Sequence, residues 1–244
     1  FQIFPIWILY FYQKITFTVP FSRKCILTAD GSKTLRIEHL KETYHSRHGA
    51  FQESQFVYIE QGLQFLIQKH SKPFVRILEL GYGTGLMAFM TYRRALQINN
   101  RIEYTSIDPF PINEEELRPL EYDTLFSPLD TSDSFSSFSS LCWNHAHTVE
   151  DSFKLHKKNV TFQDFQSETP FDLLYYDAFG AHAQPELWEP EWMQKAYDLL
   201  DSGGVWVSYC AKGTVRRALE KAGFEVSRLP GPPGKREMMR AVKP

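Results

Sequence analysis

With 244 residues, 43% of them apolar, the chain suffices for one α/β domain with a decorated edge and a sizeable core, and is too short for two full domains. Its three cysteines (Cys25, Cys142 and Cys210) are far apart, odd in number and form no C-x-x-C pair, which excludes a disulfide frame and a zinc site and points to reduced thiols in a cytoplasmic compartment. The net charge of −2 conceals an asymmetry. From Lys212 onward nine Lys/Arg stand against three Asp/Glu on an otherwise acidic body, as for a polyanionic partner contacted on one side or an ordinary solvated face.

The first 12 residues are strongly apolar and aromatic and are broken by Pro5. They are too short to span a membrane and lack the basic start and small-residue cleavage site of a signal peptide. Residues 1–24 therefore read as an apolar extension outside the fold, 25–70 as an N-terminal segment, and 71–244 as the main domain with an insertion at about 109–156. Asp30-Gly31, between apolar stretches, suits a type I′ hairpin turn. Residues 57–68 read as a helix. Residues 75–80 form a short apolar strand with Glu79 near its end, followed by Gly81, Gly83 and Gly85. The helix predicted over 84–96 is apolar on nearly all sides early on (Leu86, Met87, Ala88, Phe89, Met90), as expected of packing against a sheet. A second strand, 102–108, ends in Asp108.

The stretch 109–156 is the least regular. Residues 127–140 hold seven serines with no sustained period, and read as a mobile loop with some helix nearby. Residues 153–165 read as two strands around a turn at Lys158-Asn159, the second ending at Asp164. A buried-type strand over 171–179 carries Asp177 at its end. Pro190 suits the first turn of a helix whose apolar positions (Trp188, Trp192, Met193, Ala196, Tyr197, Leu200) recur at helical spacing until Gly203-Gly204. A strand follows over 204–210. The next helix is capped by Thr214, buries Val215, Ala218, Leu219 and Ala222, and turns Arg216, Arg217 and Lys221 outward before Gly223. Two last strands, 224–229 and 237–242, flank the rigid connection Pro230-Gly231-Pro232-Pro233-Gly234. Alternating strands and helices imply a mostly parallel, doubly wound, Rossmann-like sheet.

In such sheets ligands bind beyond the carboxyl ends of the strands, where strand order reverses. Glycines there allow close backbone approach and positive φ. The dinucleotide fingerprint Gly-x-Gly-x-x-Gly fails, because residue 86 is Leu. Glu79-x-Gly81-x-Gly83-Thr84-Gly85 instead resembles the first motif of class I S-adenosylmethionine (SAM) methyltransferases. Asp108, 23 residues beyond Gly85, is placed to accept bonds from ribose hydroxyls, and Asp164 has the right order to meet the adenine amino group. Singly, each aspartate reads as a turn residue; jointly and in order they favour a SAM site. Methyl transfer to an amine needs a free lone pair, so a carboxylate must orient the acceptor and take up a proton; Asp177 is the candidate. Two histidine pairs, His45 with His48 and His145 with His147, have no third ligand at metal spacing and no cysteine nearby, so they read as surface residues. Trp188 and Trp192 read as core rather than as base-stacking platforms.

Three separated blocks carry a more specific likeness. They are Asp177-Ala178-Phe179-Gly180-Ala181-His182-Ala183-Gln184-Pro185-Glu186-Leu187-Trp188; the tail segments Gly213-x-Val215-Arg216-Arg217-x-Leu219, Ala222-Gly223-Phe224 and Gly234-Lys235-Arg236-Glu237-Met238; and Tyr44-His45-Ser46 with Gln52-Glu53-Ser54 and Val57. From about residue 26 onward the chain resembles the tRNA 5-methylaminomethyl-2-thiouridine methyltransferases. The resemblance implies a class I fold, a seven-stranded sheet with a C-terminal antiparallel strand plus a small N-terminal hairpin and helix. It implies methyl transfer from SAM to the aminomethyl nitrogen of a wobble uridine. Tyr44, Gly81, Thr84, Asp108 and Asp164 would line the SAM site, with Asp177 facing the amine. Gly180-Ala181 departs from the Ala-Pro of many relatives, and the serine-rich insertion matches nothing in the family. A flavin-dependent oxidoreductase half, present in bifunctional relatives, is not expected here, nor is a metal; the aminomethyl substrate would be made by other enzymes. A tRNA anticodon stem-loop would meet Arg216, Arg217, Lys235 and Arg236, since a wobble base lies in a single-stranded loop. Two rival readings share part of this pattern: a methyltransferase of a small amine, which needs no basic tail, and a non-catalytic tRNA-binding relative, which needs no SAM.

Overall fold

The computed structural model describes residues 22–70, 72–98, 100–126 and 134–244. The apolar stretch 1–12 and residues 127–133 of the serine-rich insertion lie outside them. Strands β1 (Arg23–Leu27), β2 (Lys33–Ile37) and β3 (Glu42–Thr43) form a small antiparallel sheet. The β1–β2 connection is a five-residue loop rather than the expected two-residue type I′ turn. Only Gly31 has positive φ (84°), while the Asp30 carboxylate accepts the Thr28 hydroxyl at 2.7 Å and the Ser32 N–H at 3.0 Å. Asp30 thus closes the loop through its side chain, which a type I′ backbone does not require. β1 also begins inside the segment assigned to the extension: Arg23 donates to the Tyr44 hydroxyl at 2.9 Å and pairs with Glu116 at 3.0 Å.

A long helix follows, beginning seven residues before the predicted one. It runs through α1 (Ala50–Ser54), a π-helical stretch (Gln55–Gln64) and α2 (Phe65–Lys69). Gly62 lets this helix rest directly on the sheet, because a Cβ there would stand 3.1 Å from both Tyr175 and Val207.

Among the described residues the main sheet has eight strands, one more than the family resemblance implies. In chain order they are β4 (Phe74–Leu80), β5 (Arg101–Ile107), β6 (Ala146–Glu150), β7 (Phe153–Lys158), β8 (Phe171–Tyr176), β9 (Leu200–Ser208), β10 (Glu225–Pro230) and β11 (Glu237–Val242). Their spatial order is β10-β11-β9-β8-β4-β5-β7-β6. β9, β8, β4, β5 and β7 run parallel; β11, β10 and β6 pair antiparallel with their neighbours. Chain order reverses between β4 and β8, so the crevice for a ligand opens at their carboxyl ends.

The additional strand is β6. The partner of β7 precedes it in sequence, instead of following as a strand over 159–164. Residues 161–165 form a turn in which Phe162 and Phe165, three apart and thus off the strand period, are both buried, beside Tyr176 and Phe171. On one face of the sheet lie the long helix, α3 (Leu86–Ala95) and the insertion, which comprises α4 (Glu114–Leu117), two 3₁₀ turns (Arg118–Leu120, Tyr122–Leu125) and α5 (Phe135–Ser139). The insertion is anchored by aromatic rings. Phe135 and Phe138 are buried with ring centres 5.5 and 5.3 Å from Phe89, and Ser134 and Ser137 form the capping box of α5. On the other face lie α6 (Pro190–Leu199), preceded by a 3₁₀ turn (Pro185–Trp188), and α7 (Gly213–Ala222).

Candidate active site

The crevice is built by three strand ends. At the end of β4 the chain enters Gly81 (φ 93°), Gly83 (φ 51°) and Gly85 (φ 79°), a left-handed run that glycine adopts without strain, and Gly85 caps α3. A Cβ on Gly81 would meet the Asp177 carbonyl oxygen at 2.8 Å, and one on Gly83 would meet the Tyr44 ring at 3.0 Å. The glycine loop is therefore pressed against the end of β8 on one side and the N-terminal segment on the other. Asp108, at the end of β5, accepts the Gly83 N–H at 2.9 Å and the Phe110 N–H at 2.8 Å. Burial raises its pKa, opposed by these two bonds and by Arg23. Each oxygen keeps a lone pair for a ligand, so the carboxylate suits a ribose diol beside the loop.

Asp177 follows β8 directly. Its Oδ1 accepts the Tyr58 hydroxyl at 2.5 Å, and its N–H donates to the Leu80 carbonyl at 3.1 Å. Burial pushes the carboxyl up to about 7; the charge of Glu53 adds to this, while the Tyr58 bond and Lys235 work against it. Tyr44 closes the crevice with its ring edge-on to Phe179, centres 5.1 Å apart, and burial holds its hydroxyl at about 12. Tyr44, Gly81, Gly83, Asp108 and Asp177 thus form one contiguous wall.

Other predicted residues stand elsewhere. Thr84 is buried and accepts the Tyr122 hydroxyl at 3.1 Å, so it supports the loop from within. Glu79 is fully buried beneath the loop. Ser106 and Tyr104 are its polar neighbours, yet neither of its oxygens closes a hydrogen bond of ordinary geometry, and burial drives its pKa well up, toward the neutral form. Asp164 is exposed in the turn after β7, bound to Thr161 at 2.7 Å rather than ending a strand. It lines a separate surface cavity of 460 Å³ with Lys158 and Phe165.

Of the four basic candidates, Arg217 and Arg236 are exposed and Arg216 pairs with Glu220 at 3.2 Å. Lys235 turns inward instead. Its Nζ lies 2.5 Å from Glu53 and 3.7 Å from the ring centre of Tyr209. His45 is likewise buried, with Nδ1 3.1 Å from the Thr34 hydroxyl, and burial lowers its pKa to about 4. Cys142 does approach His147, at 3.4 Å, but among the described residues no group of three or more His, Cys, Asp or Glu could hold a metal. No described helix is long and apolar enough to cross a membrane.

Sequence reading missed Tyr58, Glu53 and Tyr209. Tyr58 stands 119 positions from Asp177, a separation no local pattern reveals. Glu53 lay inside a family-like block but carried no assigned role.

A central sheet that reverses order beside a Glu-x-Gly-x-Gly-x-Gly loop, with an acid after the second parallel strand, is the fold of class I SAM-dependent methyltransferases. Residues 135–244 match the family model described as S-adenosyl-L-methionine-dependent methyltransferase. In sequence the chain is similar to proteins named tRNA 5-methylaminomethyl-2-thiouridine biosynthesis bifunctional protein MnmC. The one from Idiomarina loihiensis is 28% identical over 213 residues, covering 81% of this chain and 35% of the relative. The one from Actinobacillus pleuropneumoniae is 25% identical over 239 residues, covering 89% and 35%. This chain thus spans about a third of the length of these curated relatives. Among solved structures, MNMC2 from Aquifex aeolicus superposes with a TM-score of 0.69 at 22% identity, covering 100% of this chain and 81% of that one, which supports the same fold.

Proposed function

We propose that this chain transfers a methyl group from SAM to the aminomethyl nitrogen of 5-aminomethyl-(2-thio)uridine at the tRNA wobble position. The product is 5-methylaminomethyl-(2-thio)uridine. The observation that carries the reading is the contact between Gly81 and the Asp177 backbone, which leaves no room for a Cβ and brings the cofactor loop against the acceptor's carboxyl. Tyr44, Gly81, Gly83 and Asp108 would hold SAM, with Thr84, Gly85 and Glu79 shaping the loop from beneath. Asp164, in the exposed turn after β7, would meet the adenine amino group. When bound, SAM supplies an electrophilic methyl on a sulfonium.

The protein's own residues do the rest. Asp177, with a pKa of about 7, is suited to receive a proton from an alkylammonium near neutral pH, because about half of it is ionised there and its basicity is close to that pH. Tyr58 fixes its orientation through a charge-assisted bond, and Phe179, Tyr44 and Tyr209 give the acceptor pocket an aromatic wall that excludes water. Arg216, Arg217 and Arg236 are proposed to contact the phosphates of the anticodon stem-loop. The site of action is the cytoplasm, downstream of enzymes that build the aminomethyl group. The similarity to MnmC proteins favours this substrate over a free small amine.

The test is nucleoside mass spectrometry of tRNA bearing 5-aminomethyluridine after incubation with the protein and SAM. A gain of one methyl at the side-chain nitrogen is expected, with free alkylamines left unmodified. Unchanged tRNA, or methylated free amines, overturns the reading.

A further inference from the structure

Asp177 is faced from several elements by groups that carry or share charge. The long helix contributes Tyr58 and buried Glu53, β4 contributes Glu79, the end of β9 contributes Tyr209, and the β10–β11 hairpin contributes Lys235. Glu42, paired with His182 at 2.8 Å, borders Tyr209. Two of these groups are joined in a way that the cofactor loop does not require. Lys235 reaches from the hairpin to Glu53, Nζ to Oε1 at 2.5 Å, and rests on the Tyr209 ring at 3.7 Å. The other Glu53 oxygen takes the Ser46 N–H at 2.8 Å, so the carboxylate is held at both ends. Tyr209 in turn donates to the Ala178 carbonyl at 2.8 Å, next to Asp177 in the chain. A paired anion and cation are thereby linked to the acceptor's carboxyl, Glu53 through the helix that carries Tyr58 and Lys235 through Tyr209 and the residue after Asp177, in partly buried surroundings where charges act strongly on one another.

We propose that Glu53 and Lys235 are positioning residues acting through Asp177, the fixed carboxylate opposing and the ammonium favouring the ionised form that receives the acceptor's proton. This rests on the reading of Asp177 as the base. The acceptor ammonium gives its proton to the Asp177 carboxylate. The freed nitrogen lone pair then forms the N–C bond while the C–S electron pair returns to sulfur, leaving a secondary ammonium and a neutral thioether. Removing the charge of Glu53 takes away a repulsion, so Asp177 ionises at lower pH. Removing the charge of Lys235 takes away an attraction and leaves Glu53 unpaired, so Asp177 ionises at higher pH.

The experiment is a carbon-detected NMR titration of the Asp177 carboxyl in the protein without SAM or tRNA, for wild type, E53Q, K235M, K235R and the double variant E53Q/K235M. The midpoint is expected to fall in E53Q and rise in K235M, each by about 0.5–1 pH unit, to stay in K235R, and to return toward wild type in the double variant. The acid limb of kcat/KM for tRNA methylation should move in the same directions. Midpoint shifts of the same sign in folded E53Q and K235M, or none, overturn the proposal. Because the titration needs no turnover, it reads the coupling even if the tRNA reaction fails. Opposite shifts that the rate profile does not follow overturn the role of Asp177 as base instead.

Discussion

Replacing Asp177 by Asn separates the acceptor chemistry from the stability of the fold. The amide keeps the carboxyl's shape and an oxygen for the Tyr58 hydroxyl, but cannot ionise. In the folded protein the carboxyl is raised from 3.8 to about 7, chiefly by burial. A carboxyl with a raised folded value stabilises the native state fully below its unfolded value, and that contribution is lost as pH rises through the folded value. About three pH units correspond to roughly 4 kcal/mol, and partial solvent access brings the expected effect nearer to about 2 kcal/mol. D177N should therefore match wild type near pH 4 and become the more stable protein by pH 8, while methylation falls by roughly two to four powers of ten. Urea unfolding of both proteins at half-unit steps from pH 4 to 8 measures the difference. A stability gap that stays constant across that range refutes the reasoning, because the carboxyl would then titrate alike in the folded and unfolded chains.

Gly81→Ala puts a Cβ 2.8 Å from the Asp177 carbonyl oxygen at φ 93°; a loss of roughly 1–3 kcal/mol and of SAM binding by calorimetry is expected, and a variant with wild-type affinity refutes the loop geometry. Glu79→Gln should keep SAM binding and equal or exceed wild-type stability above pH 7, since the buried acid is already held toward its neutral form; a clear loss of stability there counts against that state. Phe138→Ala should cost about 3–5 kcal/mol in unfolding experiments, and a loss below about 1 kcal/mol shows that the insertion is not anchored through its rings. Charge reversal at Arg216 and Arg217 should weaken tRNA binding and flatten its salt dependence; unchanged affinity and slope remove α7 from the RNA contact.

The glycine loop, Asp108 and Asp177 were legible because each stands at a strand end within a short, strongly patterned window. The final strand 237–242 and the buried face of α7 were legible from their periods, and Gly223 ends that helix as expected, but Thr214 does not cap it: the helix starts at Gly213 behind Lys212, without a side-chain cap. What escaped depends on the third dimension. Phe162 and Phe165 are three apart and both buried in a turn, so the strand expected after β7 does not form; its antiparallel partner, β6, lies before it. The serines of 134–140 suggest solvent, yet they cap a helix whose phenylalanines are buried against Phe89. Lys235, one of several cations in a basic tail, is set apart from Arg236 only by the path of the hairpin, which delivers it to Glu53. Tyr58 is equally silent: nothing local distinguishes a helical tyrosine facing core from one bonded to Asp177.

The tether between Lys235 and Glu53 joins positions 182 apart in the chain. Glu53 precedes the glycine loop in the chain, whereas its countercharge is supplied by the β10–β11 hairpin. That anion meets Lys235 through the pairing of β11 with β9, which places the hairpin beside the long helix. The surroundings proposed for Asp177 are thus complete only when a hairpin far along the chain has closed on the helix that precedes the glycine loop.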